Sequence, residues 1–584
     1  MKNIFLIMII AALFTGCDKD LTKEPNFISE DVVFEDENLT EAYLAKIYEA
    51  IRFQDLGGEG NNAMGLIAAV GAEHTAFANW QTPNQAVLRT YSEENGGGSL
   101  TYWPYGNIRD VNYLLENIEN SISFTRDYIN AKIAEARFLR AYMYFELVRR
   151  YGGVPIVTKV QNDTDPTEEL YPSRNTEKEV YDFIYNEIND ILPLFPDAKS
   201  GVNGRADKFT ALALQSRAML YAASIAMFGE MQLEGIVGIA ATEANTYYQR
   251  SYDASQKIIN EGGYVLYDKS DDKVENYIQL FLDEENDEVI FAKVFEPFVK
   301  GHSFDNLATP QGFSASWNSN YPVFYDFVEL YGFVEGSPIT GVSRDELTDE
   351  NSWDINEFFG MRDPRFRASV YYPEYEWQGG TVYFHVSTTY TNTNGEVVTV
   401  NSGTLDRDGT PWPAAAPPRN VRNTSLLVRK KVDESNTNPI ANASGQNFYV
   451  FRYAEILLNH AEAAFYLDKK DEALTDLNAI RNRAGVPALM SVSEDNLRNE
   501  RQVELAFEEH RYWDLKRWRI AQEKMDGVRM KGLTFKYNLD TDRYMITLKN
   551  AESVTRSFGM ERYYLPIHLD WINTNPNLIQ NPGY

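Results

Sequence analysis

The 584-residue sequence is short of thiols, imidazoles and cations. It contains one cysteine, Cys17, which excludes an internal disulfide and any metal site built from several thiolates. Its six histidines show no metal-ligand spacing, and Gly-x-Ser-x-Gly, Gly-x-x-x-x-Gly-Lys and His-Glu-x-x-His motifs are all missing. Lysine and arginine number 55 against 85 aspartates and glutamates, so the formal charge is −30. Because phosphate binding needs a basic surface, nucleic acid is a poor partner for this chain.

Long hydrophobic runs are also missing, apart from one at the start of the sequence. One lysine, an apolar stretch and the tail Phe-Thr-Gly precede Cys17, in the order of an export signal. The apolar stretch is about half the roughly 20 residues that span a bilayer. Residues 13–17 look like a lipobox, where a peptidase cuts before the cysteine and leaves it acylated. We therefore expect 1–16 to be a lipoprotein signal peptide and Cys17 to be lipidated; a plain signal peptide and a short membrane helix are the alternatives.

Helical periodicity is frequent in the rest of the chain. Eight stretches show it: 38–52, 105–121, 131–150, 176–191, 207–226, 247–260, 451–467 and 471–484. The last two together have the length of a tetratricopeptide unit, about 34 residues in two antiparallel helices. We count about four such pairs. They predict a mainly α fold, a tetratricopeptide-like superstructure whose stacked pairs share one core.

Between residues 264 and 445 the helical period fades, and Gly, Pro, Asn, Ser, Thr and aromatic residues become frequent. The stretch 381–400 alternates on both sides of Asn394-Gly395, which is a hairpin turn signal. We predict a loop-rich mixed insertion with short β-hairpins, and expect the ligand-binding face there, because loops on a rigid frame commonly carry binding residues. The chain then divides into signal peptide, tether, N-terminal helical region, insertion and C-terminal helical region: 1–16, 17–33, 34–263, 264–445 and 446–584.

Several short motifs carry a family resemblance. They are FRYAEILL at 451–458, LNAIRNRAG at 477–485, ERQVELAFE at 500–508, NPNLIQNPGY at 575–584, EARFLRA at 135–141 and YGGVP at 151–155. Together they closely resemble the SusD/RagB family of outer-membrane lipoproteins from Bacteroidetes. The likeness covers nearly the whole chain after the signal peptide and is weakest in the insertion. His568 stands where the family usually has proline, so we expect a local change of turn there.

The resemblance implies a role at the cell surface. Family members are lipid-anchored to the outer membrane, capture oligosaccharides, and act as lids on a TonB-dependent, SusC-like transporter that receives them. The scaffold is four tetratricopeptide-like helix pairs, with no cofactor and no catalytic activity. Two alternatives stay open: peptide capture, as RagB-like relatives suggest, and a structural lid that binds no ligand. A glycosidase is the least favoured alternative. It needs a pair of carboxylates, but a chain with 85 acids contains many such pairs by chance, so a pair is no specific signal of catalysis.

A glycan binder needs flat exposed rings for the C–H faces of sugars, beside amides and carboxylates that hydrogen-bond to hydroxyls. Tryptophans in polar loops fit this description. We predict the ligand contacts in this order: Trp317 with Asn318 and Tyr321, Trp80 with Asn79, and Trp377. For each tryptophan, a ring packed onto the scaffold is the alternative.

The charged and aromatic residues of the 500–518 motif are expected to be structural. Its acids and arginines lie at helical spacings that favour ion pairs along one helix. Trp513 and Trp518 are expected to cover a helix interface, because tryptophans within helices are usually packed against a neighbour.

Overall fold

Helices make up most of the regular structure. The computed structural model describes residues 33–53, 92–94, 96–310, 319–337, 339, 341–401 and 424–584. Its α-helices are α1 (Glu37–Ala50), α2 (Tyr105–Ile118), α3 (Arg126–Tyr151), α4 (Thr167–Leu170), α5 (Glu177–Ile191), α6 (Lys208–Phe228), α7 (Ala244–Glu261), α8 (Lys273–Gln279), α9 (Phe304–Ala308), α10 (Tyr325–Val328), α11 (Pro364–Ser369), α12 (Tyr453–Tyr466), α13 (Lys470–Ala484), α14 (Glu494–Glu504), α15 (Arg511–Arg517), α16 (Ala521–Met525) and α17 (Leu569–Thr574).

Local sequence signals explain where the long helices begin and end. At the start of α5, the Thr176 hydroxyl accepts from the Glu179 N–H, and the Glu179 carboxylate accepts from the Thr176 N–H. This capping box satisfies two backbone donors that a helix start leaves open. Helix α3 ends at Gly152, whose φ of 74° favours glycine. At Gly153, a Cβ would lie 1.9 Å from the Asn175 carbonyl oxygen, so no other residue fits there.

Eight of the helices form one continuous array. Helix α1 packs on α2, α2 on α3, α3 on α5, α5 on α6, α6 on α7, α7 on α12, and α12 on α13. The insertion separates α7 from α12 in the sequence, yet these two helices are in direct contact. The predicted helical array of four pairs is therefore confirmed, and it runs unbroken past the insertion.

Helix α6 lies at the centre of this array. Among the described residues it is the one helix whose length and apolar composition would suffice to cross a membrane, but 89% of its apolar window is buried within the protein. Its many alanines allow close approach of α7, where the Ser216 and Ser255 hydroxyls lie 2.8 Å apart. The hydrophobicity of α6 is thus explained by its position between α5, α7 and α12.

Short strands dominate the insertion and its surroundings. They are β1 (Val289–Lys293), β2 (Val370–Tyr371), β3 (Tyr375–Trp377), β4 (Gly380–Val382), β5 (His385–Thr391), β6 (Val397–Val400), β7 (Leu427–Val428), β8 (Phe448–Arg452), β9 (Lys531–Asn538) and β10 (Arg543–Asn550). Strands β5 and β6 pair antiparallel around the turn at Gly395, whose φ is 81°. The hairpin predicted at Asn394-Gly395 is therefore confirmed.

Two long-range pairings connect the insertion to the rest of the protein. Strands β1 and β8, near its two ends, pair antiparallel. A four-stranded sheet has the order β10–β9–β5–β6, with β9 parallel to β5. The C-terminal hairpin β9–β10 therefore completes the sheet of the insertion and contributes Leu533, Phe535 and Ile546 to a second hydrophobic core, separate from that of the helical array.

Candidate functional site

A cleft of about 820 Å³ opens on the surface of the insertion. Three segments line it: 275–284 (α8 and the turn after it), 295–298, and the loop 433–447. Its volume lies within the range of about 300–1,000 Å³ that small-molecule sites occupy. The lining combines aromatic rings with side-chain amides and carboxylates, including Phe281, Phe298, Tyr449, Asn436, Asn438, Gln446 and Asn447.

Phe298 stands at the rim of the cleft, and the residue is 74% exposed. It has a φ of 64°, in the left-handed region that bulky residues avoid. The conformation is held by the turn around it: Glu296 and Lys300 exchange backbone hydrogen bonds of 3.2 and 2.9 Å, and the Phe298 N–H donates to the Asn442 carbonyl at 3.0 Å. Such backbone costs about 1–3 kcal/mol and is concentrated at functional sites. An exposed aromatic residue in strained backbone therefore marks this turn as a candidate ligand contact.

The Phe298 turn is fixed to the helical array and to the opposite wall of the cleft. Lys300 forms an ion pair with Glu49 in the last turn of α1. The Phe295 ring packs edge-on against the His302 ring at 4.8 Å. The backbone N–H of His302 donates to the Ser444 carbonyl at 2.9 Å. Burial lowers the pKa of His302 to about 4, so its imidazole is neutral. The turn is thus held in place before any ligand arrives.

Asp305, in the first turn of α9, holds the loop 433–447 in position. One carboxylate oxygen accepts from the Asp433 N–H at 3.0 Å and the Gln446 amide at 2.7 Å. The other accepts from the Ser444 hydroxyl at 2.9 Å and the Asn436 amide at 3.4 Å. Burial raises the pKa of Asp305 to about 6, which these hydrogen bonds oppose. Four donors from one loop converge on one carboxylate, so this wall of the cleft is also built in advance.

Trp377 and Tyr321 are not the exposed platforms that the sequence suggested. Each side chain is 1% exposed and belongs to the second core. Trp377 packs edge-on against Tyr371 at 5.5 Å, and Tyr321 stacks on Phe304 at 5.3 Å. The prediction of exposed rings is wrong for both residues, because strand and turn geometry directs them inward.

The other predicted contacts, and the predicted lipidation site, lie outside the described residues: Trp317, Asn318, Trp80, Asn79 and Cys17. Of the chain around Trp317, the described ends are close together, since the Ser319 N–H donates to the Thr309 carbonyl at 3.0 Å. The Asn320 N–H also donates to the Leu307 carbonyl of α9 at 2.9 Å, and Asp305 of the same helix lines the cleft. A ligand contact by Trp317 or Trp80 remains a prediction.

The motif at 500–518 is structural, as predicted. Trp513 and Trp518 are buried, and the Arg149 guanidinium lies 4.2 Å from the Trp513 ring. The expected ion pairs along one helix occur between Asp514 and Arg517 of α15, at 2.8 Å, but not at Glu500. Glu500 pairs with Arg365 of α11 at 2.6 Å and with a residue of α13, so the charges join different elements.

The cleft offers binding chemistry. Its rings can cover apolar faces, and its amides and carboxylates can accept or donate hydrogen bonds to hydroxyl groups. Within the described part of the chain, no group of three or more His, Cys, Asp or Glu side chains is arranged to hold a metal ion. Sequence reasoning missed Phe298, because it weighted tryptophans and a positive φ leaves no signal in a Pro-Phe-Val-Lys segment.

Comparisons with known proteins show the family of the chain. The model of the SusD family matches residues 287–584, and a model described as "Starch-binding associating with outer membrane" matches residues 27–220. SusD-like protein P2 of Formosa agariphila is 25% identical over 521 residues, which cover 85% of this chain and 82% of the relative.

Solved structures match along the same length. A SusD-like protein from Bacteroides fragilis superposes with a TM-score of 0.71 at 24% identity, covering 95% of this chain and 99% of the other. A SusD-like carbohydrate binding protein from the same species gives 0.69 at 21% identity, covering 94% of this chain and 100% of the other. These structures share the fold. Because the first family model spans just over half of the residues, the chain belongs to the SusD family, whose members are binding proteins associated with the outer membrane.

Proposed function

We propose that this protein captures oligosaccharides or polysaccharides at the cell surface and delivers them to a TonB-dependent, SusC-like transporter without cleaving them. Family membership supports the class of ligand and the outer-membrane location. The observation that carries the proposal is Phe298, an exposed aromatic residue on strained backbone at the rim of a cleft lined by amides and carboxylates.

The size of the ring contact argues for weak capture. Covering about 100 Å² of the Phe298 ring with a sugar face gives about 2.5 kcal/mol. Hydrogen bonds add to this, and the loss of translational and rotational freedom subtracts from it. A single glycan site therefore has a dissociation constant on the order of 0.1 mM or weaker. Weak binding suits a protein that must release its ligand to a transporter.

The binding test uses the purified chain without its signal peptide, in native affinity gels containing starch, laminarin, mannan or xylan. We expect retention by at least one polysaccharide. We expect no new reducing ends after prolonged incubation with any of them. Release of reducing ends would contradict a purely binding role, and migration unaffected by every gel would contradict glycan capture.

Anchoring is tested separately in cells. The change Cys17→Ser removes the thiol that would be acylated, so incorporation of a labelled fatty acid should be lost and the protein should leave the outer-membrane fraction. Two acyl chains give stable membrane anchoring, whereas a protein without acyl chains is not retained by this route. A change of a neighbouring residue, Asp18→Asn, is the control and should keep the label. Membrane retention of the Cys17→Ser protein would refute lipid anchoring at this site.

Capture of a basic peptide is the second candidate, favoured by the excess of carboxylates in the cleft. Calorimetry with a library of lysine-rich and arginine-rich peptides separates it from glycan capture. A structural lid would bind neither class, yet its deletion would still reduce uptake of the polysaccharide by the cell.

A further inference from the structure

We infer that the cleft selects neutral or amino-sugar glycans and excludes glycans that carry sulfate or uronic acid groups. This inference rests on the proposed function and concerns the class of glycan. The site is the cleft with Phe298 at its rim; the charges along its walls decide which ligands can enter it.

The cleft walls carry six carboxylates and one guanidinium. The carboxylates are Glu275, Asp283, Glu284, Asp305, Asp433 and Glu434, and the guanidinium is that of Arg429. Three of the acids stand on the segment 275–284 and two on the loop 433–447, so negative charge faces the cleft from both sides. A cleft lined by one sign of charge concentrates its field and attracts or repels charged ligands before contact.

The one guanidinium is not available to an anionic ligand. Arg429 is 8% exposed, and its Nε donates to Glu434 at 2.6 Å. Its Nη1 donates to the Arg367 carbonyl at 2.7 Å, and the guanidinium lies 4.2 Å from the Tyr375 ring. Its donors and its charge are thus committed to the protein.

Several of the acids, in contrast, are uncompensated. Asp283 pairs with Lys269 at 2.8 Å, but Glu275, Glu284 and Asp433 form no ion pair within the part of the chain that the structure describes. The Lys431 ammonium lies 4.6 Å from the Phe448 ring and 5.7 Å from the Phe281 ring, and burial lowers its pKa. It does not line the cleft, so the surface that a ligand meets is net negative.

The energetics of weak capture make this charge decisive. A neutral glycan needs only ring and hydrogen-bond contacts, and the carboxylates accept its hydroxyl protons. A sulfate or carboxylate on the glycan would instead lie within about 10 Å of several like charges, inside one Debye length at moderate salt. An ammonium group on an amino sugar would be attracted by the same field.

The test compares glycans that share a backbone and differ in charge. Affinity is measured for starch, laminarin and mannan, for their carboxymethyl derivatives, for a chitosan oligosaccharide, and for alginate. At about 10 mM salt, each carboxymethyl derivative should bind about tenfold more weakly than its parent, and the difference should narrow at about 1 M salt, where charges are screened. Alginate should not bind.

A charge-removal variant identifies the cause. In Glu275→Gln/Glu284→Gln/Asp433→Asn, the three uncompensated acids become amides of the same shape. The ratio between the affinity for a neutral parent and that for its carboxymethyl derivative should fall from about tenfold to about twofold or less, whatever the variant's affinity for the parent. A thermal midpoint within about 2 °C of the wild type shows that the fold is intact.

Three outcomes overturn the inference. They are tight binding of alginate, a carboxymethyl derivative that binds as well as its parent at low salt, and a penalty that the triple variant keeps, which would indicate steric exclusion. In all three the protein still binds glycan, so the proposed function survives. If no glycan of any charge binds, the proposed function fails first and this inference falls with it.

Discussion

Replacing Phe298 by glycine is expected to abolish glycan retention while leaving the free energy of unfolding unchanged or higher by about 1 kcal/mol. The φ of 64° costs a residue with a Cβ about 1–3 kcal/mol, a cost that glycine does not have. Glycine in turn loses about 0.4–1 kcal/mol through the greater freedom of the unfolded chain. Because Phe298 is 74% exposed, its replacement removes little packing. A variant that is more stable and yet inactive would identify Phe298 as a residue kept for binding.

Two further substitutions separate the ring from the backbone. Phe298→Ala removes the ring and keeps the strained φ, so it should bind as poorly as Phe298→Gly but be less stable than it by about 1 kcal/mol or more. Phe298→Tyr keeps a ring and should bind as the wild type does. Losing a ring contact of about 2.5 kcal/mol should weaken binding by tenfold or more. Affinity gels and urea denaturation supply the two readouts.

Two results would contradict the proposed role of Phe298. Wild-type retention by Phe298→Gly would mean that the ligand does not touch this ring. Destabilisation of Phe298→Gly relative to Phe298→Ala would mean that the positive φ is not a source of strain. Met490, which is 93% exposed in the turn between α13 and α14, provides the control: Met490→Ala should change neither binding nor stability.

The helical array could be predicted because its signals are local. Each of the eight helices has its own apolar periodicity, and its ends are marked by caps such as Thr176 or by glycines such as Gly152. The hairpin at Asn394-Gly395 was found for the same reason. A turn that needs a positive φ calls for glycine at a definite place in the sequence.

The second core could not be predicted because its partners are far apart in the chain. Strand β9 pairs in parallel with β5 although about 140 residues separate them, and nothing in either segment specifies the other. The burial of Trp377, in contrast, has a local signal in the sequence. Tyr375, Glu376 and Trp377 alternate in exposure as a strand does, and Trp377 faces the core side of β3. Composition alone made this segment resemble a loop.

Glu504→Gln is expected to cause the largest loss of stability in the described part of the chain, about 3–5 kcal/mol. Glu504 is fully buried and forms ion pairs with three arginines. Arg365 of α11 lies 3.0 Å away, Arg452 of β8 lies 2.8 Å away, and Arg483 of α13 is also in contact. These guanidinium groups hold the pKa of Glu504 well below its usual range, against the effect of burial. Removing the carboxylate charge would leave three buried cations undercompensated.

The position of this cluster explains why it matters to the whole molecule. Helix α11 belongs to the insertion, whereas β8 leads into the helical array and α13 is part of it. Arg452 also binds Glu508 and Glu288, which extends the network. The cluster therefore fixes the insertion, with its cleft, on the helical scaffold. Glu504→Gln should lower glycan retention as well as stability, unlike Phe298→Gly, which should lower retention alone.

A control on the same helix and a pH series complete the test. Glu494 of α14 is half-buried and pairs with Arg498 at 2.6 Å, so Glu494→Gln should cost less than about 1 kcal/mol in urea denaturation. Neighbouring arginine and lysine charges lower the pKa of Glu508 to about 2, below its value in the unfolded chain. Carboxylates of this kind stabilise the fold above about pH 4.5, and their contribution is lost as the pH falls toward 2. The difference in the free energy of unfolding between wild type and Glu504→Gln should therefore be largest at neutral pH. It should decrease as the pH falls from about 4.5 toward 2. A difference below about 1 kcal/mol at neutral pH would show that the cluster does not hold the two cores together.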